Sequence, residues 1–248
     1  VVRGGIGAGL QAVADFLVDE RCHACHRLVD ATAKLSLPCD AASAALTMPV
    51  RVGHARFGVD TNPLCRACCH ALVAEHEPTV IAPDLSVWSS FVTDDRVLAV
   101  IHALKFSRHE RLARWLAQAL ASGLPARALS ANSVLVPVPI SRASLRRRGF
   151  NQAERLATSL SALTKIPTET HALVKTRATA PQSTLDRAAR VHNVAGAMVV
   201  VARERIAGRR VVLVDDLVTT GATAAACASA LWEAGAAEVR VVCVGYRP

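Results

Sequence analysis

Val211-Val212-Leu213-Val214-Asp215-Asp216-Leu217-Val218-Thr219-Thr220-Gly221-Ala222-Thr223 reads as a strand–loop–helix unit. Four apolar residues predict a buried strand, and two adjacent carboxylates close it. A short turn of hydroxyls and glycine follows, and then an Ala-rich helix from Ala224 to Ala234. A helix N-terminus carries unpaired N–H groups and partial positive charge, so it stabilises an anion. Gly221 lets the backbone approach that anion closely, and Thr219, Thr220 and Thr223 add hydroxyl donors. Asp215 and Asp216 repel a phosphate. They suit the hydroxyls beside one, as the diol of a sugar phosphate would offer. The plain alternative is a βα turn with an acidic strand end and a Thr-rich cap. That accounts for one Asp and one Thr, but not for two acids and three threonines around a glycine.

At these residues the chain resembles the phosphoribosyltransferase family. The signature of that family for phosphoribosyl pyrophosphate (PRPP) is a hydrophobic strand, two acids and a Thr-Thr-Gly-x-Thr loop.

The chain has 248 residues, room for one large or two small domains. Its hydrophobic fraction of 52% supports a core, and the predominance of Val and Ala suits an α/β architecture. No apolar run reaches the ~18–20 residues of a membrane-spanning helix. Val1 to Leu17 is Gly/Ala-rich without a clear cleavage site and does not read as a signal peptide, so a cytoplasmic protein is expected. The net charge of +9 points to an anionic partner, a polyphosphate or a nucleic acid, without choosing between them. No P-loop signature is present. Gly7-Ala8-Gly9 lacks both the preceding strand and the third glycine of a dinucleotide loop.

Six of the eight cysteines lie between Cys22 and Cys69. Cys22-His23-Ala24-Cys25 and Cys65-Arg66-Ala67-Cys68 are two C-x-x-C turns, each aiming two thiolates at one point. Together they predict a four-cysteine structural zinc site, Cys22, Cys25, Cys65 and Cys68. Disulfides conflict with a cytosolic chain, and two redox pairs are better explained by one shared metal. Cys22 to His26 also fits the C-x-x-C-H pattern of covalent haem attachment, a reading that leaves the second pair unexplained. Cys39 and Cys69 can each replace a neighbour as ligand, and His23, His26 and His70 are further substitutes. The Ala-, Ser- and Pro-rich middle of the segment between the pairs reads as a poorly ordered loop. The boundaries expected are a zinc module over 1–76, a linker over 77–93 marked by Pro78 and Pro83, and a phosphate-handling domain over 94–248.

In that domain Val97, Leu98, Ile101, Leu104 and Lys105 repeat at helical spacing, and Leu112 to Leu120 continues the pattern. Lys105 reads either as directed at an anion or as a snorkelling surface lysine. Val134 to Pro139 is a short strand ended by prolines. The segment after it, with Arg142, Arg146, Arg147 and Arg148, reads as a basic loop. Its guanidinium forks match phosphate oxygens and suit a pyrophosphate, against the alternative of a solvated loop. A helix from Gln152 to Leu163 follows, with Asn151 as its cap. Leu173 to Val194 is polar and basic and carries Lys175, Arg177, Gln182, Arg187 and Arg190. It reads as a mobile loop able to close over a reacting sugar, or as a surface excursion. Gly196–Val201, Arg210–Val214 and Glu238–Gly245 read as strands. Cys227 reads as a core residue.

Taken in order, the double C-x-x-C, Ala103-Leu104-Lys105-Phe106, Val136-Pro137-Val138-Pro139, Arg147-Arg148-Gly149-Phe150-Asn151-Gln152, Arg177-Ala178-Thr179-Ala180-Pro181-Gln182 and the PRPP signature resemble the ComF family. The long segment between the cysteine pairs departs from that family's shorter zinc knuckle. The resemblance implies a type I phosphoribosyltransferase fold with a central parallel sheet, joined to a small N-terminal four-cysteine zinc module. It implies that Asp215 and Asp216 hold the ribose hydroxyls and that Thr219, Thr220, Gly221, Ala222 and Thr223 bind the 5′-phosphate. The loop beyond Pro139 would face the pyrophosphate, with Mg²⁺ neutralising it. The function implied is phosphoribosyl transfer to a nitrogen acceptor. The alternative is a non-catalytic accessory of DNA uptake that meets single-stranded DNA or proteins of the competence machinery. Only three Trp, one Tyr and five Phe are present for base stacking.

Overall fold

The structure, a computed structural model, describes residues 22–25, 64, 68, 71–72, 77–106, 110–123, 132–176 and 196–248. The chain divides into two compact units, Val1–Leu72 and Val73–Pro248. The described residues of the first are Cys22 to Cys25, Leu64, Cys68, Ala71 and Leu72, and Cys22, Leu64 and Cys68 are buried. The long segment between the cysteine pairs lies outside them.

The second unit is an α/β fold. Its elements in chain order are β1 (Thr79–Ala82), β2 (Leu85–Val92), α1 (Asp95–Phe106), α2 (Glu110–Gly123), β3 (Ser133–Pro137), α3 (Arg142–Arg148), α4 (Gln152–Thr164), β4 (Leu173–Lys175), β5 (Met198–Val200), β6 (Arg210–Val218), α5 (Ala222–Glu233) and β7 (Glu238–Tyr246). Five strands form one sheet in the order β1-β2-β7-β6-β3. β2, β7, β6 and β3 are mutually parallel, and β1 is antiparallel at the edge. A parallel strand buried on both faces reads as an unbroken apolar run. Val211 to Val214 and Val241 to Val244 are such runs, and all are buried.

The alanines of α5, with Cys227 and Leu231, pack on one face against Val211, Leu213, Val239, Val241 and Cys243. α1, α2 and α4 cover the other face: α4 lies on β3 and β6, α2 on β2 and β7, and α1 on β7. β4 and β5 form a separate antiparallel ribbon that packs beside α5. Among the described residues no helix is long and apolar enough to cross a membrane.

Three sequence expectations change. Residues 77–93, expected as a linker, contain β1 and β2, and β2 is an internal strand of the sheet. Pro78 and Pro83 flank β1 without interrupting it. Pro83 supplies a fixed φ and Asp84 a positive one of 59° in the two-residue turn. The serines within Leu85–Val92 hide the strand pattern.

The arginine loop after β3 is a helix, α3. The Ser141 hydroxyl accepts the Ser144 amide at 3.1 Å to start it, and Gly149 ends it in the left-handed region at φ 79°. It buries no residue, so no apolar stripe announces it. β6 does not stop at Val214 but runs through both aspartates to Val218, because β7 pairs with it as far as Val218↔Tyr246. Of the basic stretch after Leu173, residues 173–175 are β4, while 177–195 lie outside the described residues.

Gly245 of β7 faces α1. A Cβ there would lie 2.6 Å from Thr93 Oγ1 and 3.2 Å from Val97 Cγ1. Gly245→Ala is therefore expected to lower stability by about 1–3 kcal/mol, the usual cost of overpacking. Thermal unfolding of the purified protein checks it.

Candidate functional site

Ligands of open parallel sheets bind beyond the carboxyl ends of the strands. Here that edge is formed by the ends of β3, β6 and β7. Val138 N donates to Val214 O at 2.9 Å, which pins the exit of β3 to the residue before Asp215. Asn151 reinforces this. Its side chain donates to Val138 O at 3.0 Å and accepts the Ala153 amide at 3.0 Å, so one residue caps α4 and anchors the loop.

The face alternation of the strands slips at this edge. Val211 and Leu213 belong to the cluster under α5, as do Val239, Val241 and Cys243 of β7. Val218 and Tyr246 pack there too, although strict alternation from Leu213 and Cys243 would send them to the opposite face. Gly245 correspondingly turns toward α1. The slip falls where β6 carries Asp215 and Asp216.

Asp215 Oδ1 accepts the Asp216 amide at 2.8 Å. Asp216 is buried, and its Oδ2 lies 3.0 Å from Lys105 Nζ on α1. Burial holds the Asp215 carboxyl well above the usual carboxylate range, the Asp216 charge adds to this, and Lys105 opposes it. Burial also pushes up the thiols of Cys227 and Cys243, and the Asp215 charge pushes them further. Both side chains are fully buried in the core.

After Val218 comes the turn Thr219-Thr220-Gly221. Gly221 has φ 77°, and a Cβ there would stand 3.0 Å from Ile81 Cδ1 of β1. Backbone geometry and space both require glycine. α5 begins at Ala222 with no side-chain cap, and its first contact of this kind is the long 3.5 Å approach of Ala222 N to Thr220 Oγ1. Thr219, Thr220 and Thr223 are half-buried along this cradle. An anion can take the place that a cap would otherwise fill.

The sequence placed four arginines near the site. Arg142, Arg146 and Arg147 are exposed on α3 and, among the described residues, pair with no carboxylate. Arg148 differs: its Nη1 donates to Gln152 Oε1 at 3.1 Å, and its guanidinium sits 5.7 Å from the Phe106 ring centre. Lys175 ends β4 close enough to Cys227 for its charge to lower that thiol. Arg177, Gln182, Arg187 and Arg190 lie outside the described residues.

Sequence reasoning left Lys105 between two readings. The signal was its spacing: Val97, Ile101 and Lys105 fall at i, i+4 and i+8, on the buried stripe of α1. A lysine on such a stripe needs an anion, and the anion is Asp216.

In the first unit the sulfurs of Cys22, Cys25 and Cys68 all lie within 4.8 Å of one another. Tetrahedral zinc with ~2.3 Å bonds to sulfur spaces its sulfurs about 3.8 Å apart, so this donor set fits zinc. None of the three is in a disulfide. Cys65, the fourth expected ligand, lies outside the described residues, as do Cys39, Cys69, His26 and His70.

Two outcomes are expected. Because its carboxyl is raised, Asp215 releases its proton at higher pH in the folded protein than in the unfolded chain. Stability therefore falls as pH rises from the ordinary 3.8 through the raised value. Asp215→Asn removes this decline and raises the neutral-pH melting temperature, with the gap to wild type closing in acid. Thermal unfolding across pH reads it. Separately, Cys22→Ser or Cys68→Ser should reduce bound zinc from about one per chain to well below one, measured by elemental analysis.

Comparison with known proteins agrees with this architecture. Residues 134–248 match the phosphoribosyl transferase domain. The chain is similar to the DNA utilization protein YhgH of Escherichia coli O157:H7, with 38% identity over 215 residues covering 79% of this chain and 93% of that protein. The YhgH of strain K12 is also 38% identical, over 58% of this chain and 65% of its own length. Competence protein F of Haemophilus influenzae is 32% identical over 52% of this chain and 57% of its own. Among solved structures, the glutamine PRPP amidotransferase of B. subtilis aligns with a TM-score of 0.39 at 24% identity, over 58% of this chain and 30% of that one. The near full-length match to YhgH, the transferase domain and the similarity to competence protein F together make the chain a member of the ComF family of phosphoribosyltransferase-like proteins, with a type I phosphoribosyltransferase domain.

Proposed function

We propose that the C-terminal unit binds PRPP and transfers its phosphoribosyl group to a nitrogen acceptor, releasing pyrophosphate. The observation that carries this reading is the edge of β6: two adjacent carboxylates, then a positive-φ glycine, then a helix N-terminus with no side-chain cap. The amides and hydroxyls from Thr219 to Thr223 take the 5′-phosphate. Asp215 and Asp216 accept hydrogen bonds from the ribose 2′- and 3′-hydroxyls. Arg142, Arg146 and Arg147 face outward and are placed for the pyrophosphate, with Arg148 steadying the helix that bears them. Lys175 and the residues that follow it in sequence, Arg177, Gln182, Arg187 and Arg190, add further cations and a polar group.

In the reaction the bond between C1 of the ribose and the pyrophosphate oxygen breaks, assisted by the ring oxygen. The nitrogen lone pair forms the new bond, and the nitrogen then loses its proton. The chain's contribution is positioning and preorganised charge. Mg²⁺ bound with PRPP would neutralise charge on the pyrophosphate and help it leave. The carboxylates of Asp215 and Asp216 are the oxygen donors that suit this hard cation. The cysteine module of the first unit has a structural role, holding zinc. We place the protein in the cytoplasm.

A second reading has its own support. The relatives carry the names DNA utilization protein and competence protein F, and the chain bears a net charge of +9 with exposed arginines along α3. On this reading the fold binds PRPP or single-stranded DNA as an accessory of DNA uptake, without catalysis, and docks onto other proteins of that machinery.

Calorimetric titration of PRPP with Mg²⁺ tests the shared PRPP site, and an acceptor screen after it separates the two. Wild type binds, and Asp215→Ala/Asp216→Ala loses about 100-fold or more, the value of two hydrogen bonds to charged groups. Release of pyrophosphate with an acceptor panel then establishes transfer. Absence of PRPP binding, together with single-stranded DNA binding that weakens steeply with salt, favours the accessory role.

A further inference from the structure

Lys105 belongs to no part of the phosphate cradle, yet its ammonium stands beside the acidic pair. Its place on α1 is set by the apolar residues one and two turns before it, Ile101 and Val97, which bury against the sheet. The last turn of α1 is steadied from outside. The Phe106 ring lies 4.5 Å from the His102 ring in a tilted arrangement, and the Arg148 guanidinium sits over it at 5.7 Å. The ammonium is thereby held at 3.0 Å from Asp216 Oδ2. The Asp216 side chain is only 4% exposed, and among the described residues its Oδ2 accepts no hydrogen bond, so the ammonium is what compensates that oxygen.

A carboxylate that deep is costly unless paired, and Asp215 beside it adds a like charge. Without a cation the adjacent like charges would turn the two carboxylates apart, and that spoils a pair that must accept hydrogen bonds from a diol. We infer that Lys105 is a positioning residue: from α1 it holds Asp216 as an oriented anion at the end of β6, so that the acidic pair is preformed before a sugar phosphate arrives. This rests on the PRPP site proposed above and names a residue outside that site's own loop. It also assigns a function to α1, which otherwise only covers the sheet.

Magnesium-PRPP titration of wild type, Lys105→Met, Lys105→Arg, Asp216→Asn and the Lys105→Met/Asp216→Asn double variant tests it. Lys105→Met is expected to lose about tenfold or more in affinity, and Lys105→Arg to keep most of it. Lys105→Met is expected to cost little further in the Asp216→Asn background, because the lysine acts through that carboxylate. Wild-type affinity in Lys105→Met, or losses that simply add in the double variant, overturns the positioning role while leaving the PRPP site standing. A wild type that binds no PRPP overturns the site and the role with it. Should Lys105→Met fail to fold, Lys105→Gln replaces it in the same cycle, since its polar but uncharged amide is tolerated beside Asp216 and supplies no compensating charge. Full affinity in that variant would likewise overturn the role.

Discussion

β6 is gripped on both sides, and the acidic edge of the sheet follows from that grip. Its residues Val211 to Val214 are each at most 2% exposed, paired in register to β3 on one side and β7 on the other. Each fully buried side chain of this kind contributes about 1.5–3 kcal/mol. A one-residue slip would turn every one of them to the wrong layer. With the register so constrained, Asp215 can stand only opposite Cys243, and Val138 can bond only to Val214. Two carboxylates and the exit of the neighbouring strand thus meet at one edge without any direct attraction between them.

What stands at that edge is poorly matched to stability and well matched to binding. A buried acid next to another acid, a glycine in the left-handed region and a helix start with no cap each cost free energy in the empty protein. The remaining structure opposes these costs piecemeal. Lys105 compensates Asp216, Ile81 closes over Gly221, and the Asp216 amide is taken by Asp215. Sites of this type concentrate strain where a ligand will relieve it, and rigid strands around them keep the strain from spreading. The basic helix α3 shows the same economy: Ser141 and Gly149 define its two ends, and it leaves three arginines facing solvent.

Much of this was legible before any coordinates. A run of four aliphatics, two acids, a Thr-Thr-Gly turn and an Ala-rich helix carries its own periodicity and its own chemistry, so the strand, the turn and the helix after it were read locally. The C-x-x-C turns were likewise local, and three of the four expected sulfurs stand together. The errors share a cause. Residues 77–93 read as a linker because the serines and flanking prolines obscure a strand whose burial comes from β7, about 150 residues later in the chain. α3 was read as loop because a helix that buries nothing has no apolar stripe. The aspartates were read as closing the strand because their polarity says so locally, while pairing with β7 carries the strand on to Val218.

The sequence alone determined the chemistry at the end of β6, because the residues that supply it are contiguous and their spacing expresses one strand, one turn and one helix start. It also marked each C-x-x-C turn as a metal-type donor pair, since that depends on spacing within the turn. Only the tertiary structure decided where β6 ends, which strand flanks Gly221, and what Lys105 touches. Those are matters of register and layer packing between segments far apart in the chain. Lys105 and Asp216 are separated by more than a hundred residues, and their charges meet only because α1 lies across β7 beside the strand that carries the acid.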